Sequence, residues 1–134
     1  MKSFSEDEIN ELLKEMRELV LRGSFIISSG KERRANDSFM FEYNLNKEKV
    51  GKLLLKIRYK DFCECLQRND ITQNHKDYFL FAPVYKLKDL FGDECDVTAY
   101  VKFIIEDDAN HRALLAVISF HEPDPNKPLS YYFQ

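Results

Sequence analysis

Residues 5–21 place Ile9, Leu12, Leu13, Met16, Leu19 and Val20 at helical spacing among charged residues, the pattern of an amphipathic helix. Ser5 and Glu8 stand three residues apart at its start as a capping box, and Gly23 ends it. "SFIISS" (24–29) reads as a short strand, and "GKERRAND" (30–37) as a polar, basic loop. "SFMFEYNL" (38–45) alternates, which fits either a strand or a short turn into the next helix. Asn46 caps a second helix over 47–57, with Val50, Leu53, Leu54 and Ile57 inward. Gly51 inside it costs about 1 kcal/mol relative to alanine. In "KDFCECLQR" the set Tyr59, Phe62, Cys63 and Leu66 predicts a third short helix, followed by a loop over 69–77.

The second half of the chain changes period. "YFLFAPVYKL" (78–87) is a strand pattern broken by Pro83, which belongs at a sheet edge or a bulge. "VTAYVKFII" (97–105) and "RALLAVISF" (112–120) are the clearest strands, joined by a turn through "EDDANH". Helices first and strands later imply an α+β domain, with N-terminal helices packed on one face of a small antiparallel sheet. No internal repeat or dividing linker is visible. The expectation is a single domain over 1–134, with an N-terminal helix (1–23) leading a core (24–133).

Strand side chains alternate sides. On this hairpin, Ala99, Val101, Phe103 and Ile105 match Leu114, Ala116, Ile118 and Phe120 as an apolar face for the helices. The other face carries Thr98, Tyr100, Lys102 and Ile104 with Leu115, Val117, Ser119 and His121. A phenol, an ammonium, a hydroxyl and an imidazole on one side can bind a phosphate and move a proton. A solvated antiparallel sheet presents the same mixture. A turn centred near residue 108 pairs Tyr100 with Val117. At roughly 3.3 Å per residue, that leaves Tyr100 and His121 about 13 Å apart along the strands. A bulge, a twist or the basic loop is needed to make that face compact.

Composition narrows the setting. At 44% hydrophobic and a net charge of −3, the chain is equipped to build a core and is not of the disordered class. No run of 18 apolar residues offers a membrane span, and the acidic N-terminus lacks the apolar stretch of a signal peptide. Cys63, Cys65 and Cys95 are an odd number without scaffold spacing, which points to a reduced, cytoplasmic location. A pI near 5.6 is no general footprint for nucleic acid, so any such role needs a local basic patch. On a helix Cys63 and Cys65 diverge and cannot share a metal, and "HEPD" offers no ligand pair across Pro123. No P-loop or dinucleotide fingerprint is present, and no metal or cofactor is expected.

"AYVKFII" followed by "AVISFHEPD…PLSYYF" resembles the C-terminal half of MqsR-type toxins, within the RelE-like class of small bacterial RNases that includes barnase, EndoU and colicins. "KERRAND", "VGKLLLKIRYKDF" and "YFLFAPVYK" extend the likeness, so that it covers roughly 25–133 by order and spacing. The resemblance implies a metal-independent mRNA endonuclease of a toxin–antitoxin pair, with RNA and a cognate antitoxin as partners. It makes His121, Tyr100 and Lys102 catalytic, and Lys31, Arg33 and Arg34 phosphate-binding. Tyr131 and Tyr132, with Phe133, are equipped to stack on bases.

In such chemistry the 2′-hydroxyl attacks the neighbouring phosphorus and leaves a 2′,3′-cyclic phosphate. An imidazole titrates near neutrality, so His121 is expected as general acid. Tyr100 orients or deprotonates the nucleophile only where cations lower its pKa. Two positions depart from the family: Glu64 stands where a lysine acts, and Ala82 where a glutamine does. Those departures and the acidic pI favour the alternative, a non-catalytic module of the same fold that binds nucleic acid or protein. A third reading makes the aromatic tail a docking element for a protein partner.

Overall fold

The structure, a computed structural model, describes residues 3–66 and 77–134. Helix α1 (Glu6–Leu21) begins at the expected capping box. The Glu8 N–H donates to Ser5 Oγ at 3.1 Å, and the Ser5 N–H to Glu8 Oε1 at 3.0 Å. Glu6, Asp7 and Glu8 in its first turn suit the positive end of the helix dipole. Its inward stripe of Ile9, Leu13, Met16, Leu19 and Val20 is buried. Strand β1 (Phe25–Ile27) follows, then a 3-10 turn (Lys31–Arg33), α2 (Arg34–Glu42) and α3 (Lys47–Leu54). A second 3-10 turn (Tyr59–Asp61) leads into β2 (Phe62–Leu66) and β3 (Tyr78–Phe81). Strands β4 (Val84–Lys88), β5 (Glu94–Thr98), β6 (Tyr100–Asp107) and β7 (Ala113–His121) complete the chain.

The α+β architecture is the expected one. A five-stranded sheet runs β1-β7-β6-β3-β2, and β4 pairs with β5 as a separate two-stranded ribbon. All its pairings are antiparallel except β1 with β7. Pro83 separates β3 from β4 where the chain leaves one sheet for the other. The Ala99 N–H donates to the Pro83 carbonyl at 2.9 Å, locking the return crossing. The helices share one core with the sheet's inner face and with Tyr85, Leu87 and Val97 of the ribbon. Phe62, Phe81, Phe103 and Phe120 are fully buried in it, and truncating such a ring to alanine costs about 3–5 kcal/mol. Gly51 has a packing reason. A Cβ there would stand 3.1 Å from the Phe25 ring, so its absence lets α3 approach β1.

Three local expectations are corrected. Residues 31–42 are not a basic loop followed by a strand or a short turn into the next helix. They form the 3-10 turn and α2, in which Asn36, Phe39, Met40 and Tyr43 share a helical face while Phe41 is 72% exposed. Residues 62–66 are strand β2, not a third helix. Neighbouring strand residues face opposite sides, so Phe62 enters the main core while Cys63 joins Leu80 and Ala82 on the other face, and the register shifts between Phe62 and Glu64. Two neighbouring buried residues imitated a helical stripe. Glu94, Cys95 and Asp96, read as part of a connection, belong to β5. Most of the loop expected at 69–77 lies outside the described residues.

Candidate functional site

Asp107 pairs with Ala113, which centres the β6–β7 turn on Asn110 rather than near residue 108. Counting back without interruption would set Tyr100 opposite Phe120. The register slips by one residue between Lys102 and Phe103, so that Lys102 pairs with Ser119 and Phe103 with Val117. Ile118 is the extra residue on β7. The turn position brings Leu115 and Val117 into the core in place of the expected Leu114, Ala116 and Ile118, and the bulge keeps Phe120 there, with Val101, Phe103 and Ile105. The bulge also sets Tyr100 directly opposite His121. The later turn removes three of the expected four residues of separation along the strands, and the bulge removes the fourth.

A buried asparagine holds the bulge. Asn36, 1% exposed, donates from Nδ2 to the Ser28 carbonyl at 3.0 Å and to the Ile118 carbonyl at 2.9 Å. Its Oδ1 accepts the Phe120 N–H at 2.9 Å. Strand β1 ends at Ile27, so beyond it this amide stands in for a neighbouring strand along β7. The sequence reading missed Asn36. The signal that finds it is its helical spacing with Phe39, Met40 and Tyr43.

The Tyr100 and His121 rings are stacked, 5.1 Å between centroids and 8° from parallel. His121 Nδ1 lies 2.7 Å from the Glu122 carbonyl. A carbonyl can only accept, so this contact places a proton on Nδ1 and leaves Nε2 for other work. Glu122 in turn accepts the Tyr43 O–H at 3.2 Å. Lys102, half-buried, carries Nζ 5.6 Å from the centre of the Tyr78 ring, a cation–π contact. Ser119, its cross-strand neighbour, is 3% exposed, and its hydroxyl forms no hydrogen bond among the described residues.

The electrostatics assign different jobs to the two strand-β6 groups. Burial, helped by the neighbouring Arg33 charge, lowers the Lys102 pKa and makes its ammonium a readier proton donor. Burial, followed by Glu64 and Cys63, raises the Tyr100 pKa, so its phenol stays protonated at neutral pH. The condition under which Tyr100 would act as a base is not met.

Of the basic segment, Arg33 is half-buried and close enough to act on Lys102, while Lys31 and Arg34 are exposed beside it. The aromatic tail is tied down. The Tyr131 O–H donates to the Ala82 carbonyl at 2.7 Å, and the Tyr132 N–H to the Phe62 carbonyl at 2.9 Å. The Tyr132 ring packs among Phe4, Phe62 and Phe133. Leu129 covers the Cys63–Leu80–Ala82 cluster beside Tyr100. Glu64, where the resemblance calls for lysine, stands in one cross-sheet row with Leu80, Lys102 and Ser119. Among the described residues no cluster of His, Cys, Asp and Glu is placed to hold a metal, and no helix is long and apolar enough to cross a membrane. Compared with protein-family models, with curated proteins and with solved structures, the chain matches none.

Proposed function

We propose that the face carrying Tyr100, Lys102, Ser119 and His121 binds an RNA phosphodiester and cleaves it without a metal, as an endoribonuclease toxin of the MqsR and RelE kind. The observation that carries this reading is the bulged register, which puts Tyr100 opposite His121 and Lys102 opposite Ser119. Lys102 and His121 then form a diagonal pair on adjacent strands, at roughly 7–8 Å. That span accommodates one phosphodiester with a proton-transfer group on each side.

His121 Nε2 takes the 2′-hydroxyl proton as that oxygen attacks phosphorus. The bond from phosphorus to the 5′-oxygen breaks, and the Lys102 ammonium protonates the departing oxygen. The products are a 2′,3′-cyclic phosphate and a 5′-hydroxyl, and water returns the two side chains to their starting states. This reverses the acid role first expected for His121, because the Nδ1 contact with the Glu122 carbonyl leaves a lone pair on Nε2 of the neutral ring. The Tyr100 O–H and the Arg33 guanidinium donate to the non-bridging oxygens, where charge grows in the transition state. RNA and a cognate antitoxin are the proposed partners and the cytoplasm the proposed location, in keeping with the three free thiols.

Mixed-sequence RNA incubated with the purified chain in EDTA, with and without ribosomes, tests the reading. Cleavage by wild type and its loss in His121→Ala at an unchanged melting temperature are expected. No cleavage in either condition contradicts catalysis and favours the non-catalytic binding module, which Glu64 in the lysine's place already supports.

A further inference from the structure

We propose that a second groove, separate from the Tyr100–His121 face, binds the phosphates of single-stranded nucleic acid. It lies between the end of α3, the Tyr59–Asp61 turn, β4 and the C-terminal tail, and encloses about 720 Å³. The proposal does not depend on the catalytic reading, since a chain that grips without cutting has the same use for this groove.

The sequence builds the groove by alternation. From Lys56 to Asp61 the chain turns Ile57 and Asp61 inward, with Tyr59 half-buried, and leaves Lys56, Arg58 and Lys60 exposed. Lys86 projects outward from β4 between buried Tyr85 and Leu87. All four cations line the groove, and none is in an ion pair with a described residue. Among the described residues two side-chain carboxylates stand near them, and Gln134, the last residue of the sequence, also lines the groove. Asp61, 9% exposed, accepts the Arg58 N–H at 2.8 Å, and Asp96 is the cross-strand neighbour of Lys86. In a chain with a net charge of −3, these four groups are a local concentration of positive charge.

The aromatic lining favours a nucleic acid over an acidic peptide. The Tyr131 O–H is taken by the Ala82 carbonyl, and the Tyr85 O–H by the Leu53 carbonyl at 2.8 Å. Tyr85 is buried and forms the floor of the groove, whereas Tyr131, with its hydroxyl tied off, offers a ligand ring surface rather than a hydrogen-bond donor. Tyr131 is 37% exposed, and Phe133 lines the groove beside it. Cations flanking an aromatic face are what a strand of phosphates and bases uses, and base stacking tolerates any sequence. The volume falls in the range of sites for nucleotide-sized ligands, larger than a bare anion needs.

The test is fluorescence anisotropy with a short, labelled, mixed-sequence 2′-O-methyl oligonucleotide, which no 2′-hydroxyl mechanism can cut. Binding is therefore measured whether or not the chain is a nuclease. The variant Lys56→Gln/Lys60→Gln/Lys86→Gln changes exposed side chains only, and its thermal melt checks folding. Its affinity is expected to fall about tenfold or more, and the slope of log affinity against log salt to flatten by about 2, the share of three phosphate contacts. Tyr131→Leu should weaken binding about fivefold or more, while Tyr131→Phe, which keeps the ring, should not. Absence of wild-type binding overturns the proposal. So does an unchanged affinity and salt slope in the triple variant, or equal binding of a polyglutamate peptide of the same charge.

Discussion

The Tyr100 ring lies flat against the His121 imidazole, 5.1 Å away and 8° from parallel, because one extra residue on β7 puts the two opposite each other. The stacking fixes the ring plane of the imidazole while the Glu122 carbonyl fixes its rotation and tautomer. With those constraints, Nε2 is the nitrogen available to a substrate.

In the proposed mechanism the Lys102 proton is given away, not merely displayed. Lys102→Arg keeps the positive charge but holds its proton, since guanidinium does not deprotonate in proteins. Its kcat is expected to drop about 10²-fold or more with RNA affinity retained. The wild-type rate should fall as pH rises through the lowered Lys102 pKa, so the alkaline limb lies below the usual lysine value. Single-turnover kinetics across pH checks both. An arginine variant as fast as wild type contradicts the acid role.

Asn36→Ala removes both sides of the amide that caps the bulge and strands the Ser28 and Ile118 carbonyls and the Phe120 N–H. The expected loss of stability is about 2–4 kcal/mol. Urea denaturation gives the number, and amide exchange at Phe120 should speed up before the rest of β7. A loss below about 0.5 kcal/mol, the range of an ordinary surface change, contradicts the clasp.

The β6–β7 turn makes its own pH prediction. Asp108 Oδ1 accepts the Asn110 N–H at 2.8 Å and the Arg112 N–H at 3.0 Å, and these bonds hold its pKa below the usual carboxylate range. A lowered folded-state pKa contributes stability above the unfolded value and loses it as pH falls toward the folded one. Asp108→Asn should therefore flatten the melting temperature between neutral pH and the acid range. A wild-type acid slope retained in full would show that the turn carboxylate does not contribute.

The thiols should react in order of accessibility. Burial, then Glu64 and Asp61, raise the Cys63 pKa to about 11, so almost none is thiolate at neutral pH. Cys95 is exposed. Brief iodoacetamide treatment of native protein is expected to label Cys95 and spare Cys63 until denaturant is added, as peptide mass spectrometry reads directly. Early labelling of Cys63 contradicts the packing of the Cys63–Leu80–Ala82 cluster.

What the sequence disclosed depended on how many faces each element buries. Helix α1 buries one stripe and was legible to its capping box. Strand β2 buries Phe62 on one face and Cys63 on the other, and that mimics helical spacing. In α2 and its C-cap Tyr43 the string Phe39, Phe41, Tyr43 imitates strand alternation, although Phe41 turns out to solvent. Pro83 signalled an interruption through its missing N–H, but 78–87 read as one strand, whereas the chain divides there into β3 and β4 of two different sheets. The bulge at Ile118 was not legible, since no glycine or proline marks it. Its cause is Asn36, 82 residues away in another element. Tyr100, Lys102 and His121 could thus be chosen as candidates, but not placed side by side.

The most direct measurement uses a pool of random-sequence 2′-O-methyl oligonucleotides, each with a single ribose at a fixed position, incubated with the chain in EDTA. Scission is predicted immediately 3′ of that ribose, leaving a 2′,3′-cyclic phosphate and a 5′-hydroxyl, with His121→Ala slower by about 10²-fold or more. An intact pool, or scission that His121→Ala leaves unchanged, contradicts the proposal that this strand pair surrounds and cleaves a phosphodiester.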